Sequence, residues 1–168
     1  MNNIVIASRV EAQKLLEQNP FFYNAISISS PLDPISNLKK TKEVLYLRFD
    51  DIVKASDNLN KLSIKLTLPT RNDCEKSLDF FQRSGDFLIH CFHGKSRSTA
   101  VALGCFLDAY KDYEVAVDKL LQIRPWATPN ELIVEFMCEL LGTDFVEVLE
   151  YFHKKRKYYL LEHYKRRD

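Results

Sequence analysis

A short run near the middle of the chain combines a thiol, imidazoles, hydroxyls and a guanidinium. It reads His-Cys-Phe-His-Gly-Lys-Ser-Arg-Ser over residues 90–98. The apolar run Phe87–Cys91 ends in it and a helical pattern starts at Arg97, so the run predicts a loop between a strand and a helix. Gly94 lets that loop turn. Because loop amides and the positive end of a helix both attract negative charge, the run predicts an anion site.

The side chains of this run are suited to chemistry on a phosphate group. Cys91 lies at the predicted floor of the anion site, which favours its thiolate form and makes it a nucleophile. Arg97 follows six residues later, and its guanidinium can donate two parallel hydrogen bonds to two phosphate oxygens. Ser98 can donate a hydrogen bond to the Cys91 sulfur, and helix capping is the alternative role that the sequence leaves open.

The elements that must position this loop are predicted by hydrophobic periodicity. Strands are expected at Asn3–Ala7, Ala25–Ser29, Val44–Phe49 and Phe87–Cys91. Helices are expected from Thr70 to Ser84 with Gly85 as the C′ residue, from Arg97 to Tyr110, from Glu114 to Ile123, from the N-cap Thr128 through Leu141 to Gly142, and from Asp144 through Phe152 into the tail. This order predicts an α/β fold with a central, mostly parallel sheet flanked by helices, in one domain over residues 1–168. Ligands of such sheets bind beyond the carboxyl ends of the strands.

Three stretches of the chain carry a resemblance to a known superfamily. The spacing His-Cys-x5-Arg-Ser of residues 90–98 resembles the signature of the cysteine-dependent protein tyrosine phosphatases. Residues 124–130 resemble the Arg-x4-Pro-Asn segment of small dual-specificity phosphatases. Residues 47–52 are similar to the Phe-Asp-Asp general-acid loop of compact members and of short bacterial-type tyrosine phosphatases. The three stretches occur in the expected order, and the resemblance implies a tyrosine-phosphatase-like fold.

The resemblance also implies a two-step hydrolysis that needs no cofactor and no metal. Cys91 would attack phosphorus, a cysteinyl-phosphate would form, and water would hydrolyse it. Asp51 is expected to protonate the leaving oxygen and then to act as base on the water. Asp50 is the alternative for that role, and otherwise it would cap or brace its loop.

The other residues of the loop are expected to bind phosphate or to support the site. Phosphate is expected to contact the backbone at Phe92, His93, Gly94, Lys95 and Ser96. His90 would brace the loop from below through hydrogen bonds, and Asn130 is expected to support the structure. A metal site at His90, Cys91 and His93 is disfavoured because no further ligands follow at short spacing.

The substrate class expected from the resemblance is phosphotyrosine in proteins, with phosphoserine and phosphothreonine left open. Lys95 favours an alternative, because a lysine at this place also occurs in relatives that act on inositol phospholipids. A non-catalytic phosphate-binding module is a third hypothesis. It is disfavoured because both Cys91 and Arg97 are present.

Charge is unevenly distributed along the 168 residues, although the formal total is only +1. Residues 1–150 carry 17 basic and 21 acidic side chains and residues 151–168 carry 7 and 2, so a balance of −4 is followed by one of +5. The basic tail is interpreted as a solvated helix face, with an anionic membrane surface as the weaker alternative and no clear signal for nucleic acid. No apolar stretch approaches the roughly 20 residues of a membrane span, and no signal peptide is recognised, which predicts a cytoplasmic protein.

Overall fold

A computed structural model describes residues 2–36, 38–53 and 66–165, and within these ranges the chain forms four strands and six helices. They are β1 (Ile4–Ser8), α1 (Arg9–Gln18), β2 (Asn24–Ser29), β3 (Val44–Arg48), α2 (Arg71–Phe81), β4 (Phe87–Cys91), α3 (Arg97–Tyr110), α4 (Tyr113–Ile123), α5 (Glu131–Leu141) and α6 (Phe145–Lys165). The predicted α/β fold and the four strands are confirmed, with strand ends shifted by at most one residue. The domain bounds at 1 and 168 stay a prediction.

The four strands form one sheet in the order β1-β4-β2-β3, and every neighbouring pair is parallel. All five residues of β4 are buried, because this strand has a partner on each side and helices over both faces. Parallel strands covered on both faces are apolar almost throughout, which is why Phe87–Cys91 was recognisable as a strand. Its carboxyl end, at Cys91, lies between the ends of β1 and β2.

The helices cover the sheet unequally. Helices α2 to α6 build the larger core on one face, where α3 lies against β4 and packs on α4 and α5. Eleven consecutive residues of α3, from Arg97 to Leu107, are buried, in agreement with the predicted interior helix. Helix α1 covers the other face with Ala12 and Leu16. Each helix in the described ranges is too short or too polar to cross a membrane.

Two local predictions were wrong, and one helix was missed. Helix α1 was not foreseen, although Ser8 and Glu11 form a capping box at its start. Helix α2 ends at Phe81, so Gly85 is not its C′ residue; with φ of +117° it turns the chain before β4. Helix α5 is capped by Asn130 rather than Thr128, because the Asn130 side chain accepts the hydrogen bond from the amide of Ile133 in the first turn.

Candidate active site

The loop between β4 and α3 passes close to the end of β1 at Gly94. This glycine has φ of +67°, and a Cβ on it would lie 2.6 Å from the carbonyl carbon of Ala7 and from the nitrogen of Ser8. Contacts that short are forbidden for a side chain, so glycine is required both for the turn and for the close approach. The loop is thereby pressed against the sheet edge where the strands end.

The carbonyl groups of the loop are held from outside. The amide of Arg9 donates to the carbonyl of Phe92 at 3.3 Å, and the amide of Thr128 donates to that of Lys95 at 2.9 Å. The carbonyl of Ser96 accepts a hydrogen bond within the first turn of α3. With its carbonyls engaged in this way, the loop can present its amides to its concave side.

The amides of the loop are largely unused. That of Gly94 donates to Cys91 Sγ at 3.3 Å. Within the described ranges, no hydrogen bond is donated by the amides of four further residues, Phe92, His93, Lys95 and Ser96. Unpaired amides in a loop that leads into a helix N-terminus are suited to bind an anion with several oxygens.

Cys91 lies at the floor of this concavity with only 2% of its surface exposed. Its Sγ is 3.2 Å from Ser98 Oγ. Ser98 is the second residue of α3, and the helix begins after Ser96, so Ser98 is not the capping residue. A hydroxyl and an amide thus converge on one sulfur, an arrangement that stabilises a thiolate.

Arg97 is buried beside the same concavity and keeps a donor unused. Its Nη1 donates to the carbonyl of Phe49 at 2.9 Å and to Ser30 Oγ at 3.3 Å. Its Nε is buried and has no hydrogen-bond partner in the described part of the chain. A buried guanidinium with a free N–H is costly unless a ligand accepts from it, so Arg97 is suited to bind an oxyanion. Ser30, which directly follows β2, was not predicted to belong to the site, although its position after a strand was an available signal.

The neighbouring residues Asp50 and Asp51 have different hydrogen-bond partners. Asp51 Oδ1 accepts hydrogen bonds from Ser96 Oγ at 2.6 Å and from Asn130 Nδ2 at 3.0 Å, and its Oδ2 is 4.0 Å from Arg97 Nε. The Asp50 side chain instead accepts from the amide of Thr67 at 2.8 Å, and the Asp50 amide donates back to the Thr67 carbonyl. Asp51 therefore lies at the loop between β4 and α3, whereas Asp50 holds its own segment to the segment around Thr67.

Asn130 connects the cap of α5 to this carboxylate. Its Oδ1 accepts from the amide of Ile133 at 3.3 Å, and its Nδ2 donates to Asp51 and to the carbonyl of Ile52. From the sequence, Asn130 was expected only to support the structure. The structure adds that one amide side chain both caps the start of α5 and orients the Asp51 carboxylate.

His90 is buried under the loop without the hydrogen bonds expected of it. Neither ring nitrogen has a partner in the described ranges, so His90 supports the loop there by packing and not by hydrogen bonds. Burial, followed by the nearby positive charge of Arg9, lowers the pKa of His90 from 6.5 to about 4. The ring is therefore neutral at physiological pH.

Arg124, the first residue of the stretch 124–130, secures the structure beneath the site. Its Nε donates to the carbonyl of Ile6 at 2.8 Å, and its Nη2 donates to Glu11 Oε2 at 2.7 Å. The hydrogen bond from Arg124 is the largest cause that lowers the pKa of Glu11. This pair links the segment before α5 to β1 and to the start of α1, next to the point where Gly94 crosses.

The rim of the concavity is formed by exposed side chains. Phe92, His93 and Lys95 are exposed, and the Phe92 ring contacts the His93 ring and lies 5.2 Å from the guanidinium of Arg9. Arg9 was not predicted to belong to the site. Across the described ranges, His, Cys, Asp and Glu side chains form no group of three or more that could hold a metal ion.

Comparisons with known proteins find the same architecture at low sequence identity. No protein-family model and no curated protein matches the chain. Among solved structures, Tk-PTP in its active form is 16% identical with a TM-score of 0.58, over 84% of this chain and 93% of that one. DUSP15 is 18% identical with a TM-score of 0.57, over 92% of each chain. PTPMT1 in complex with PI(5)P is 16% identical with a TM-score of 0.54, over 83% and 93%. The chain therefore has the fold of the cysteine-dependent protein tyrosine phosphatase superfamily.

Proposed function

We propose that this protein hydrolyses phosphate monoesters, with phosphotyrosine in proteins as its substrate class. One observation carries the proposal: the Ser98 hydroxyl and the Gly94 amide contact the Cys91 sulfur, and the unused Nε of Arg97, the residue before Ser98, lies 4.0 Å from the Asp51 carboxylate. These are a nucleophile, an oxyanion site and an acid within reach of one phosphoryl group.

In the first step the Cys91 sulfur attacks phosphorus in line with the ester oxygen. A sulfur–phosphorus bond forms while the phosphorus–oxygen bond breaks. The loop amides and Arg97 stabilise the negative charge on the three equatorial oxygens. Asp51, in its protonated form, gives its proton to the departing oxygen, so that a neutral alcohol or phenol leaves.

In the second step water replaces the sulfur. Asp51, now a carboxylate, accepts a proton from the water as its oxygen bonds to phosphorus. The sulfur leaves as a thiolate, which accepts a hydrogen bond from the Ser98 hydroxyl. Inorganic phosphate is released and Asp51 is protonated again, ready for the next turnover.

Phosphoinositides are the second candidate substrate. Lys95 favours them, because this exposed lysine follows the nucleophile by four residues at the rim of the concavity and can contact a second phosphate. The structural similarity to PTPMT1, which was solved with PI(5)P, supports the same candidate. Phosphotyrosine is favoured over them because Phe92, which follows Cys91 and is 48% exposed, offers an apolar surface to an aromatic ring.

Replacement of the nucleophile tests the reaction itself. Cys91→Ser should abolish release of phosphate from an aryl phosphate and from a phosphotyrosyl peptide. Cys74→Ser is the matched control, because Cys74 is also buried and its Sγ lies 3.9 Å from the carbonyl of Ile133, to which a serine hydroxyl can donate. Wild-type protein quenched with acid during turnover should carry one phosphoryl group on the peptide that contains Cys91.

Two outcomes would contradict the proposal. Undiminished turnover in Cys91→Ser would exclude Cys91 as nucleophile. Tight binding of phosphopeptides by fresh, reduced wild type without phosphate release would indicate a non-catalytic binding module. The substrate class is decided by comparing the turnover of phosphotyrosyl peptides and of phosphoinositides by the same preparation. Faster turnover of the lipid would make phosphoinositides the preferred substrate.

A further inference from the structure

The last helix, α6, is fixed to the body of the protein by one of its faces. Val148 and Phe152 are buried in the main core. Further along, Lys155 Nζ lies 3.9 Å from Asp118 Oδ2, and the His163 ring lies 5.1 Å from the ring of Trp126. These contacts run from the start to the end of the helix, so they also determine which face is turned to solvent.

The solvent face of α6 alternates large apolar side chains with lysines. Tyr158, Leu161 and Tyr164 are 60–62% exposed. Three exposed lysines share that face with them, Lys154, Lys157 and Lys165. At 100° per residue these six positions fall within about a third of the helix circumference.

The charge of this face is positive. Glu162 is the only acidic residue between positions 153 and 165. It lies on the flank, where its Oε1 is 3.0 Å from Lys165 Nζ. Lys154 and Lys157 have no ion-pair partner among the described residues.

This combination matches one kind of partner better than others. Tyrosine and leucine insert at the boundary between lipid headgroups and acyl chains, while lysines attract anionic headgroups. Exposed apolar side chains grouped on one face are typical of an interaction surface, and contacts to nucleic-acid phosphates are made mainly by polar and charged side chains. We propose that the exposed face of α6 docks onto an anionic lipid surface.

Docking by this face would hold the candidate active site near the membrane. A cleft of about 270 Å³ separates the end of α6 from the active-site loop, and it is lined by Lys95, Trp126, Leu160, His163 and Tyr164. Tyr164 thus belongs both to the docking face and to the cleft that Lys95 borders. The protein would act on phosphate groups close to the lipid surface.

Sedimentation with vesicles tests the docking without any substrate, so its result is independent of the proposed hydrolysis. The full chain should sediment with phosphatidylserine-containing vesicles and not with pure phosphatidylcholine vesicles. Replacement of Lys154, Lys157 and Lys165 by Gln should weaken the partitioning, by about fivefold for each lysine. The matched control replaces Lys14, Lys39 and Lys76, which are exposed elsewhere, by Gln and should leave it unchanged.

The apolar part of the face is tested separately by Leu161→Ser, which changes no charge. It should weaken vesicle binding while the turnover of a small aryl phosphate in solution stays at the wild-type value. An equal loss of vesicle binding in the α6 lysine variant and in the control lysine variant would show that only net charge matters, and it would overturn the proposal. The proposal would also be overturned if the wild-type protein did not bind anionic vesicles. If the variant at Lys154, Lys157 and Lys165 lost affinity only for a DNA duplex, the face would be a nucleic-acid surface and the proposal would be wrong.

Discussion

Asn130 Nδ2 lies 3.0 Å from Oδ1 of Asp51 and donates a hydrogen bond to it, although the two residues are 79 positions apart. The same side chain caps α5 through its Oδ1. Because Asn130 is held by the helix and by its own burial, it provides a rigid reference for a carboxylate on a loop. The position of the proposed general acid is thus linked to the start of α5.

Substitutions of Asn130 should separate its two roles. Asn130→Asp preserves the cap, since aspartate accepts the same hydrogen bond. It replaces the amide donor to Asp51 with a second carboxylate, which repels the Asp51 carboxylate. We expect stability near that of wild type and kcat/KM for a phosphotyrosyl peptide lower by about tenfold or more. Asn130→Ala should also lower the free energy of unfolding, by about 1 kcal/mol. Unfolding in urea and steady-state kinetics measure the two effects, and full activity in Asn130→Asp would refute the linkage.

The two aspartates should differ in their dependence on the leaving group. Asp51→Asn removes the proposed proton donor, so turnover should fall by about 10²–10⁴-fold for esters of weakly acidic alcohols or phenols. The loss should be smaller for nitrophenyl phosphate, whose leaving group needs little protonation. Asp50→Asn keeps an acceptor for the Thr67 amide and should show no such dependence. A series of aryl phosphates decides between them, and the reverse pattern would assign the role to Asp50.

Two glycines with the same backbone conformation should respond differently to alanine. Gly94 and Gly142 have φ of +67° and +66°, but a Cβ on Gly142 meets nothing within 4 Å. Gly142→Ala should therefore cost only the left-handed backbone, about 1–2 kcal/mol, and leave turnover intact. Gly94→Ala adds a clash with Ala7 and Ser8, so it should lower both the free energy of unfolding and the turnover further. Equal effects of the two variants would show that the close approach is unimportant.

His90 should make the free energy of unfolding depend on pH. Its pKa is about 4 in the folded protein, mainly because of burial, against an ordinary value of 6.5. Below pH 6.5 the unfolded chain binds a proton that the folded protein does not, so stability should fall between pH 6.5 and pH 4 and level off below. The contribution of this residue is about 3 kcal/mol. Urea unfolding of wild type and His90→Leu at pH 7.5 and 4.5 measures it; an identical pH dependence in both would contradict the prediction.

Much of the fold was readable from short segments. Strand β4 and helix α3 lie at the buried centre, where the apolar pattern is continuous, and the predicted bounds of both are the observed ones. Helix α1 was missed because it lies on the smaller face of the sheet and buries only two residues, Ala12 and Leu16. The capping box of Ser8 and Glu11 was the remaining sequence signal for this helix. A short amphipathic pattern with so few buried positions is weak in sequence.

The grouping of Cys91, Arg97 and Ser98 was determined by the sequence itself. These residues belong to one short loop and the first turn of one helix, so local geometry brings them together whatever the rest of the chain does. Tertiary structure alone decided what lies around them. It brought Asp51 rather than the alternative, Asp50, to the loop, and it oriented the Asp51 carboxylate through Ser96 and Asn130, which are 45 and 79 positions away. Such choices depend on hydrogen bonds between residues far apart in the chain, and no local pattern carries that information.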